Sequence, residues 1–150
     1  MILTYGIVYM NYMPVGVTVN AAYLIDILGS FLKAMRVKRP HLIASNDWVL
    51  HWDNAPVHTA RLATEFIAKK GIKMVPHAPY LPDLAPADFW LFPKIKANLA
   101  LDGLIIENSV HNSWERLAYT IPTEEFRATW DKWLERHEKC IRIGGEYVEK

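Results

Sequence analysis

Two aspartates occupy positions at which a carboxylate can do chemistry. Asp53 follows the Trp-Val-Leu-His-Trp stretch at residues 48–52, which predicts a short buried strand. Parallel α/β sheets present ligand-binding groups at the carboxyl ends of their strands. Asp88 falls in the first turn of a predicted helix, where the helix dipole and unpaired N–H groups favour an ionised carboxylate. Two such carboxylates facing one pocket can share a hard divalent cation such as Mg²⁺, which takes oxygen ligands.

A purely structural interpretation of both residues stays open at this point. Aspartate is common in turns and at the starts of helices, where its side chain accepts hydrogen bonds from backbone N–H groups. The spacing of Asp53 and Asp88, with residues 54–87 between them, does not by itself decide between capping and metal binding.

The residues around Asp53 predict a strand–helix–strand unit. After the strand at residues 48–52, residues 59–70 have the pattern of a helix that Gly71 stops, and residues 72–75 form the next strand. The inward positions of this helix are Leu62, Phe66 and Ile67. A right-handed crossover is the economical topology for so short a unit, so we expect two parallel strands of an α/β sheet.

Upstream, the sequence predicts a strand or hairpin and one long helix. Residues 2–13 are rich in β-branched and aromatic residues, and Gly6 favours a turn or bulge among them. Asn20 can cap a helix that Pro40 ends. The apolar positions of this helix recur about every 3.6 residues and are Tyr23, Leu24, Ile27, Leu28, Phe31, Leu32 and Met35.

Downstream, a proline-rich loop leads to Asp88. Residues 76–86 contain four of the nine prolines, which predicts a rigid extended loop. The helix that carries Asp88 runs from Ala87 to about Ala100, and Pro93 should kink it or confine its regular part.

Two amphipathic helices close the chain. They cover about residues 108–119 and 123–142, and Gly144 and Gly145 end the second. The inward residues are Val110, Trp114 and Leu117 in the first helix and Phe126, Trp130, Trp133, Leu134, His137 and Ile141 in the second. We therefore expect the three tryptophans to lie in the core.

The composition is that of an ordinary globular protein. The 150 residues are 51% hydrophobic and 22% charged, which excludes long disorder and fits one domain. The net charge of +1 provides no strong global field, so any DNA contact must be local. The single cysteine, Cys140, excludes an internal disulfide and a cysteine-rich zinc site, and it fits a reducing compartment.

The sequence predicts no membrane contact. No stretch approaches the roughly 20 apolar residues that span a bilayer. Residues 2–10 are as apolar as the core of a signal peptide, but no Lys or Arg precedes them and Asn11 interrupts the run. We therefore expect a strand there and not a secretion signal.

Two long motifs surround the aspartates. They are HWDNAPVH at residues 51–58 and PHAPYLPDLAPADFWLF at residues 76–92. These motifs resemble the catalytic domain of mariner-type transposases of the Tc1/mariner superfamily. In that family the second acidic motif is similar to Asp-Asn-Ala-x-x-His, and the third is similar to Pro-Tyr-Ser-Pro-Asp-Leu-Ala-Pro-x-Asp. The spacing between the aspartates of these two motifs is the same in the family as between Asp53 and Asp88. Leu81 stands where the family usually has Ser.

The C-terminal residues extend the resemblance to nearly the whole chain. The Trp-x-x-Trp-x-x-Arg stretch from Trp130 looks mariner-like, and so does the tail at residues 140–147.

The resemblance implies an RNase H-like α/β fold and metal-dependent phosphoryl transfer on DNA. In such enzymes two divalent ions, Mg²⁺ or Mn²⁺, flank the scissile phosphate, where one promotes attack and the other stabilises the leaving oxygen. Transferred residue by residue, Asp53 is the second catalytic and metal-binding carboxylate and Asp88 is the third. Asn54 and His58 match the motif, but neither nitrogen suits Mg²⁺, so we expect them to orient Asp53 or fix its turn.

The family's first catalytic aspartate has no counterpart among these residues. It sits on the first strand, upstream of the region that residues 2–13 resemble. The only carboxylates before Asp53 are Asp26, inside a helix, and Asp47, at the start of a strand and not at its end. We therefore expect little or no strand cleavage or transfer from this chain alone, and at best weak cation binding.

The expected architecture is an incomplete RNase H-like domain over residues 1–150, without its first strand and with a C-terminal helical portion at about 105–150. Three structural alternatives stay open: the strands at residues 2–13 and 48–52 pair directly, a second chain fills the gap, or the fold is marginal. The family's N-terminal helix-turn-helix region has no counterpart either, so sequence-specific binding to transposon ends is not expected.

Two groups of basic residues are candidates for weak, non-specific DNA contact. Lys94 and Lys96 follow Asp88 on its helix, and Arg36, Lys38 and Arg39 form a second cluster. Clustered positive charge beside an active site can bind phosphates. The alternative for both groups is a solvated helix surface, and Lys94 and Lys96 are the stronger candidates.

Three functions remain open. The chain is an inactive remnant of a transposase, or a nuclease or transposase completed by another chain that supplies the first aspartate, or a non-catalytic module that binds DNA or protein. A homodimer or a complementing transposase chain is a possible partner. The resemblance implies a role in DNA transposition and integration and a nuclear location, although the sequence contains no targeting signal that we recognise.

Overall fold

The computed structural model describes residues 2–3, 6–101 and 107–148, most of which are helical. The elements follow in the order β1 (Ile2–Leu3), β2 (Gly6–Ile7), α1 (Ala21–Lys38), α2 (Pro40–Ser45), β3 (Leu50–His51), α3 (Pro56–Thr59), α4 (Arg61–Lys69), β4 (Met74–Val75), α5 (Phe92–Leu101), α6 (Glu107–Thr120) and α7 (Thr123–Arg142). A 3-10 turn at Pro82–Leu84 and a π-helical turn at Ala87–Leu91 precede α5. None of the described helices is long and apolar enough to cross a membrane.

The chain divides into two compact units. The first is Val8–Pro79, and the second combines Ile2–Ile7 with Tyr80–Lys150. Asp53 therefore belongs to the first unit and Asp88 to the second.

The described strands form two separate two-stranded ladders. β1 and β2 pair antiparallel as a hairpin, and Gly6 has the positive φ, 111°, that a turn or bulge favours. β3 and β4 pair parallel, with Leu50 opposite Met74 and His51 opposite Val75. This register confirms the predicted parallel pair, while the described ladders contain no pairing between the hairpin and β3.

In the first unit, α1 packs against α2, α3 and α4. As predicted, α1 begins after Asn20, whose side-chain oxygen accepts a hydrogen bond from the Tyr23 N–H at 2.9 Å, and it ends before Pro40. Pro40 also starts α2, because the first N–H of a helix needs no partner within the helix. The buried residues of α1 are Leu24, Leu28, Phe31, Leu32 and Met35.

The buried face of α4 differs from the predicted face by one residue. The helix predicted at residues 59–70 forms as α3 and α4, and Gly71 ends it with a φ of 62°. Ala63 and Ile67, one turn apart, are buried, whereas Leu62 is 51% exposed. The prediction that Leu62 points inward was wrong, because the face of α4 that packs against other elements contains Ala63 and Ile67. The larger side chain of Leu62 lies beside this face.

In the second unit, α6 packs against α5 and β2, and α7 packs against the 3-10 turn. The observed bounds of α6 agree with the prediction to within one residue, and those of α7 coincide with it. Trp114 and Leu117 are half-buried, and the side chain of Val110 lies outside the described residues. The core of this unit includes Leu81, Leu84, Leu91, Ile95, Ala118, Phe126 and Trp133.

The buried face of α7 is also displaced from the predicted one. Its buried residues are Phe126, Thr129, Trp133 and Cys140. Trp130, Leu134 and Ile141 each follow a buried position and are exposed, so the prediction that they face the core was wrong. Thr129 can be buried in place of Trp130 because its hydroxyl donates to the Glu125 carbonyl at 2.8 Å.

Candidate functional site

Asp53 is held by a local network just after β3. β3 is shorter than the strand predicted at residues 48–52. Because it ends two residues before Asp53, the aspartate still lies just beyond the carboxyl end of the strand. The Asp53 Oδ1 accepts a hydrogen bond from the Ala55 N–H at 3.0 Å. The helical turn α3 brings the His58 Nδ1 to 2.7 Å from the same oxygen. The direction of the carboxylate is therefore set by its immediate neighbours in sequence.

These contacts favour the ionised form of Asp53. The hydrogen bond from the Ala55 N–H lowers the Asp53 pKa below its ordinary value of 3.8; partial burial opposes this, and His58 and His77 lower the pKa further. The Asp53 side chain is 61% exposed. Its Oδ2 accepts no hydrogen bond from the described residues, so one ionised oxygen is open to a cation.

Trp52 fixes the ring of His58. The indole and imidazole rings stack with centroids 4.5 Å apart and an interplanar angle of 5°. Because its Nδ1 faces the Asp53 carboxylate, His58 lies where the predicted orienting role requires it.

Asn54 links the ends of the two parallel strands. Its Nδ2 donates to the His77 carbonyl at 2.8 Å, as a turn-fixing residue would. The His51 Nε2 lies 3.0 Å from the His77 Nδ1. Sequence reasoning missed this histidine pair, although His51 at the end of one strand and His77 just after the next were a signal for it.

Asp88 is an exposed residue in the first turn of the π-helical segment Ala87–Leu91, which matches its predicted position at a helix start. Its N–H donates to the Ala85 carbonyl at 2.9 Å. The regular helix α5 begins only at Phe92, so the helical stretch is irregular just before Pro93, as predicted.

The predicted basic residues have different surroundings. The Lys94 Nζ forms an ion pair with the Glu125 Oε2 at 2.7 Å. Lys96 is exposed and has no ion pair among the described residues. In the second cluster, the Lys38 Nζ donates to the Val8 carbonyl at 2.8 Å. Lys96 is therefore the residue on α5 that is more available to a phosphate.

The metal ligands predicted from the sequence are carboxylates. The prediction that Asp53 and Asp88 share a cation stays a prediction, because each belongs to a different compact unit. Within the part of the chain that the structure describes, no group of three or more His, Cys, Asp or Glu side chains could hold a metal ion. Each carboxylate suits Mg²⁺ or Mn²⁺ by donor type, since both ions prefer oxygen ligands.

Comparison with known sequences identifies a relative. No family model matches the sequence. The Mariner Mos1 transposase of Drosophila mauritiana is 35% identical over 149 residues, which cover 96% of this chain and 42% of the relative. The chain therefore spans less than half of the length of this relative.

Solved structures of Mos1 share the fold. The Mos1 transposase catalytic domain with raltegravir and Mg matches with a TM-score of 0.88 and 32% identity, covering 97% of this chain and 73% of that chain. The Mos1 mariner paired end complex with Mn matches with the same TM-score and identity and covers 97% of this chain and 43% of that chain. The RNase H-like fold expected from the motifs is thus confirmed. This chain belongs to the mariner-type transposases.

Proposed function

We propose that this chain is part of a transposase catalytic domain in which Asp53 and Asp88 bind Mg²⁺ or Mn²⁺ for phosphoryl transfer on DNA. The observation that carries the proposal is the state of Asp53. It is an exposed carboxylate with a lowered pKa, directed by Ala55 and His58 within a mariner-type motif. A carboxylate must be deprotonated to bind a metal, and Asp53 meets this condition at neutral pH.

The neighbours of Asp53 prepare it for a cation. The Ala55 N–H and His58 occupy Oδ1 and leave Oδ2 accessible. Hydrogen-bonded partners of this kind fix the direction of a ligand and tune its affinity. When bound, Mg²⁺ supplies electrostatic stabilisation of the phosphate and of the leaving oxygen.

We propose that the 150 residues do not cleave DNA by themselves. Asp26 lies in α1 and Asp47 precedes β3; both are exposed, and neither follows a strand. Among the residues that the structure describes, the site therefore lacks a third carboxylate to bridge two ions. A complementing transposase chain that supplies this aspartate is the partner we propose, within an assembly of two chains.

DNA is the proposed substrate. The Mos1 structures that this chain resembles include a paired end complex. Lys96 is available to a DNA phosphate, whereas Lys94 would have to leave Glu125 first. With a net charge of +1, we expect weak and non-specific binding. A nuclear location and a role in DNA transposition and integration belong to the same proposal.

Metal binding tests the proposal without requiring activity. Titrations with Mn²⁺ followed by electron paramagnetic resonance would give the affinities of the wild type and of the Asp53→Asn and Asp88→Asn variants. Asp26→Asn, on the exposed side of α1, is the matched control. We expect each of the two site variants to weaken Mn²⁺ binding by at least about tenfold, and the control to bind as the wild type does. Equal affinities in all four proteins would refute the proposal.

A nicking assay tests the expected inactivity. Duplex DNA is incubated with Mg²⁺ or Mn²⁺ and the 150-residue chain, with and without a complementing transposase chain. We expect nicking only in the complemented reaction, and its loss in Asp53→Asn. Nicking by the chain alone that disappears in Asp53→Asn would show that two carboxylates suffice.

A non-catalytic DNA-binding module is the second candidate. It is favoured by Lys96, an exposed basic side chain on α5 with no ion pair among the described residues. This function predicts a salt-sensitive shift of duplex DNA in a gel that persists in Asp53→Asn and weakens in Lys96→Gln.

A further inference from the structure

The segment that carries Asp88 has little regular structure of its own. Residues 82–91, called the Asp88 segment below, contain the 3-10 turn Pro82–Leu84 and the π-helical turn Ala87–Leu91. Pro82 and Pro86 have no N–H to donate, and single turns of these two kinds are less regular than an α-helix. The shape of the segment must therefore be set largely by its contacts with other elements.

Trp133 of α7 contacts the part of the segment that precedes Asp88. Its side chain is buried, and its Nε1 donates to the Leu84 carbonyl at 2.8 Å. Leu84 is itself buried, and a buried carbonyl needs a hydrogen-bond partner. This bond therefore fixes the 3-10 turn on α7.

Arg136, one turn further along α7, contacts residues on both sides of Asp88. Its Nη1 donates to the Asp83 carbonyl at 3.1 Å. Its guanidinium carbon lies 4.1 Å from the centre of the Phe89 ring. Asp83 precedes Asp88 and Phe89 follows it, so one planar side chain connects the two flanks of the acidic residue.

Val148, near the C-terminus, and the first turn of α7 each add one further contact to the Asp88 segment. The Val148 N–H donates to the Asp83 Oδ2 at 3.0 Å, and the Lys139 Nζ donates to the Val148 carbonyl at 2.7 Å. The rings of Trp90 and Phe126 meet edge to face with centroids 5.0 Å apart. Both flanks of the segment are thus tied to α7.

We propose that Trp133 and Arg136 are positioning residues that hold the Asp88 segment on α7 and thereby direct the Asp88 carboxylate toward a cation. The inference rests on the proposed function. Asp88 is exposed, and its side chain makes no hydrogen bond or ion pair with the described residues, so its direction depends on the backbone that carries it. A binding site requires its ligands within about 0.5 Å of their productive positions, and the contacts with α7 restrain the backbone that carries Asp88.

The test combines hydrogen exchange with Mn²⁺ binding in the full 150-residue chain. The variants are Arg136→Gln, Arg136→Lys and Trp133→Phe. The matched control is Arg142→Gln, which changes an exposed arginine on the same helix. The amides of Asp88 and Phe89 report on the segment directly, because both donate to the Ala85 carbonyl.

We expect about tenfold faster exchange at these two amides in Arg136→Gln and Trp133→Phe, and unchanged exchange in α1. Mn²⁺ binding should weaken by about tenfold in the same variants. Arg136→Lys should give intermediate values, because an ammonium group can reach the Asp83 carbonyl or the Phe89 ring but not both. The Arg142→Gln control should behave as the wild type.

The possible failures are distinguishable. If the wild type does not bind Mn²⁺, the proposed function is wrong, and exchange still decides whether α7 holds the segment. Unchanged exchange at Asp88 and Phe89, or unchanged Mn²⁺ affinity, in a folded Arg136→Gln would overturn the positioning role. Arg136 is half-buried and not in the deep core, so this variant should fold even if Trp133→Phe does not.

Discussion

Asp53 and Asp88 are held in place by contacts of different range. The Asp53 carboxylate accepts hydrogen bonds from Ala55 and His58, at most five residues away. The backbone around Asp88 is tied to α7, where Trp133 bonds to a carbonyl 49 residues earlier in the chain. One carboxylate is oriented by its own motif, whereas the other depends on a distant helix.

This difference determines how each carboxylate can be misplaced. The Asp53 network needs only the short turn after β3, so it should withstand changes elsewhere in the chain. The Asp88 segment needs α7 to be folded and docked. We therefore expect substitutions in α7 to affect stability and Asp88 together, and substitutions next to Asp53 to affect metal binding more than stability.

The largest predicted effect is the loss of Trp133. Trp133→Ala removes a buried aromatic side chain and its hydrogen bond to Leu84, so the free energy of unfolding should fall by about 3–5 kcal/mol. Leu134→Ala, at the exposed position that follows it, should cost about 1 kcal/mol or less. Urea unfolding of both variants checks this, and equal losses would show that α7 does not hold the segment through Trp133.

A smaller loss of stability is expected at Asp83. Asp83→Ala leaves the Val148 N–H without its acceptor, which should cost about 1–3 kcal/mol. Asp131→Ala, on the exposed face of α7, should change stability by about 0.5 kcal/mol or less. The same urea titrations measure both, and an Asp83→Ala protein as stable as the control would mean that the tail contributes nothing.

His58→Ala should weaken metal binding more than it lowers the free energy of unfolding. The variant removes the side-chain donor to Asp53 and the ring that stacks on Trp52. We expect Mn²⁺ affinity to fall by about tenfold, with a loss of stability of about 1 kcal/mol or less. His41→Ala, at an exposed position in α2, is the matched control. A large loss of stability with unchanged Mn²⁺ affinity would reverse the comparison between the two carboxylates.

The smallest predicted effect is a pH dependence. Because the fold lowers the pKa of Asp53, ionised Asp53 stabilises the native state above its ordinary pKa, and this contribution disappears as the pH falls through the lowered value. The stability of the wild type relative to Asp53→Asn should therefore be greater at about pH 6 than at about pH 2. The side chain is largely exposed, so solvent screening keeps the difference small. Thermal unfolding of both proteins at the two pH values measures this difference. A wild type that gains stability relative to Asp53→Asn at the lower pH would contradict the prediction.

The features that sequence predicted correctly depend on local signals. Asn20 caps α1 through its own side chain, and Gly71 ends α4 because it adopts a positive φ readily. The alternation of strand and helix around Asp53 was sufficient to predict the parallel pair β3–β4. His58 lies within the acidic motif and contacts the Asp53 carboxylate, while the orienting role of His58 and the turn-fixing role of Asn54 stay predictions.

The features that sequence did not predict depend on tertiary contacts. Hydrophobic spacing alone favours Trp130 and Leu62 as buried, but the faces that pack against other elements contain Thr129 and Ala63 instead. The bond from Trp133 to Leu84 joins residues whose separation gives no periodic signal. Such contacts become visible only when the elements are placed in space.

Paramagnetic broadening by Mn²⁺ would test most directly whether Asp53 and Asp88 bind one cation. Substoichiometric Mn²⁺ is added to ¹⁵N-labelled protein, and the amide signals of Ala55 and Phe89 are followed. We expect both signals to broaden at the same Mn²⁺ concentration in the wild type, and neither to do so in Asp53→Asn or Asp88→Asn. Broadening of only one signal, or of each at a different concentration, would contradict a shared cation.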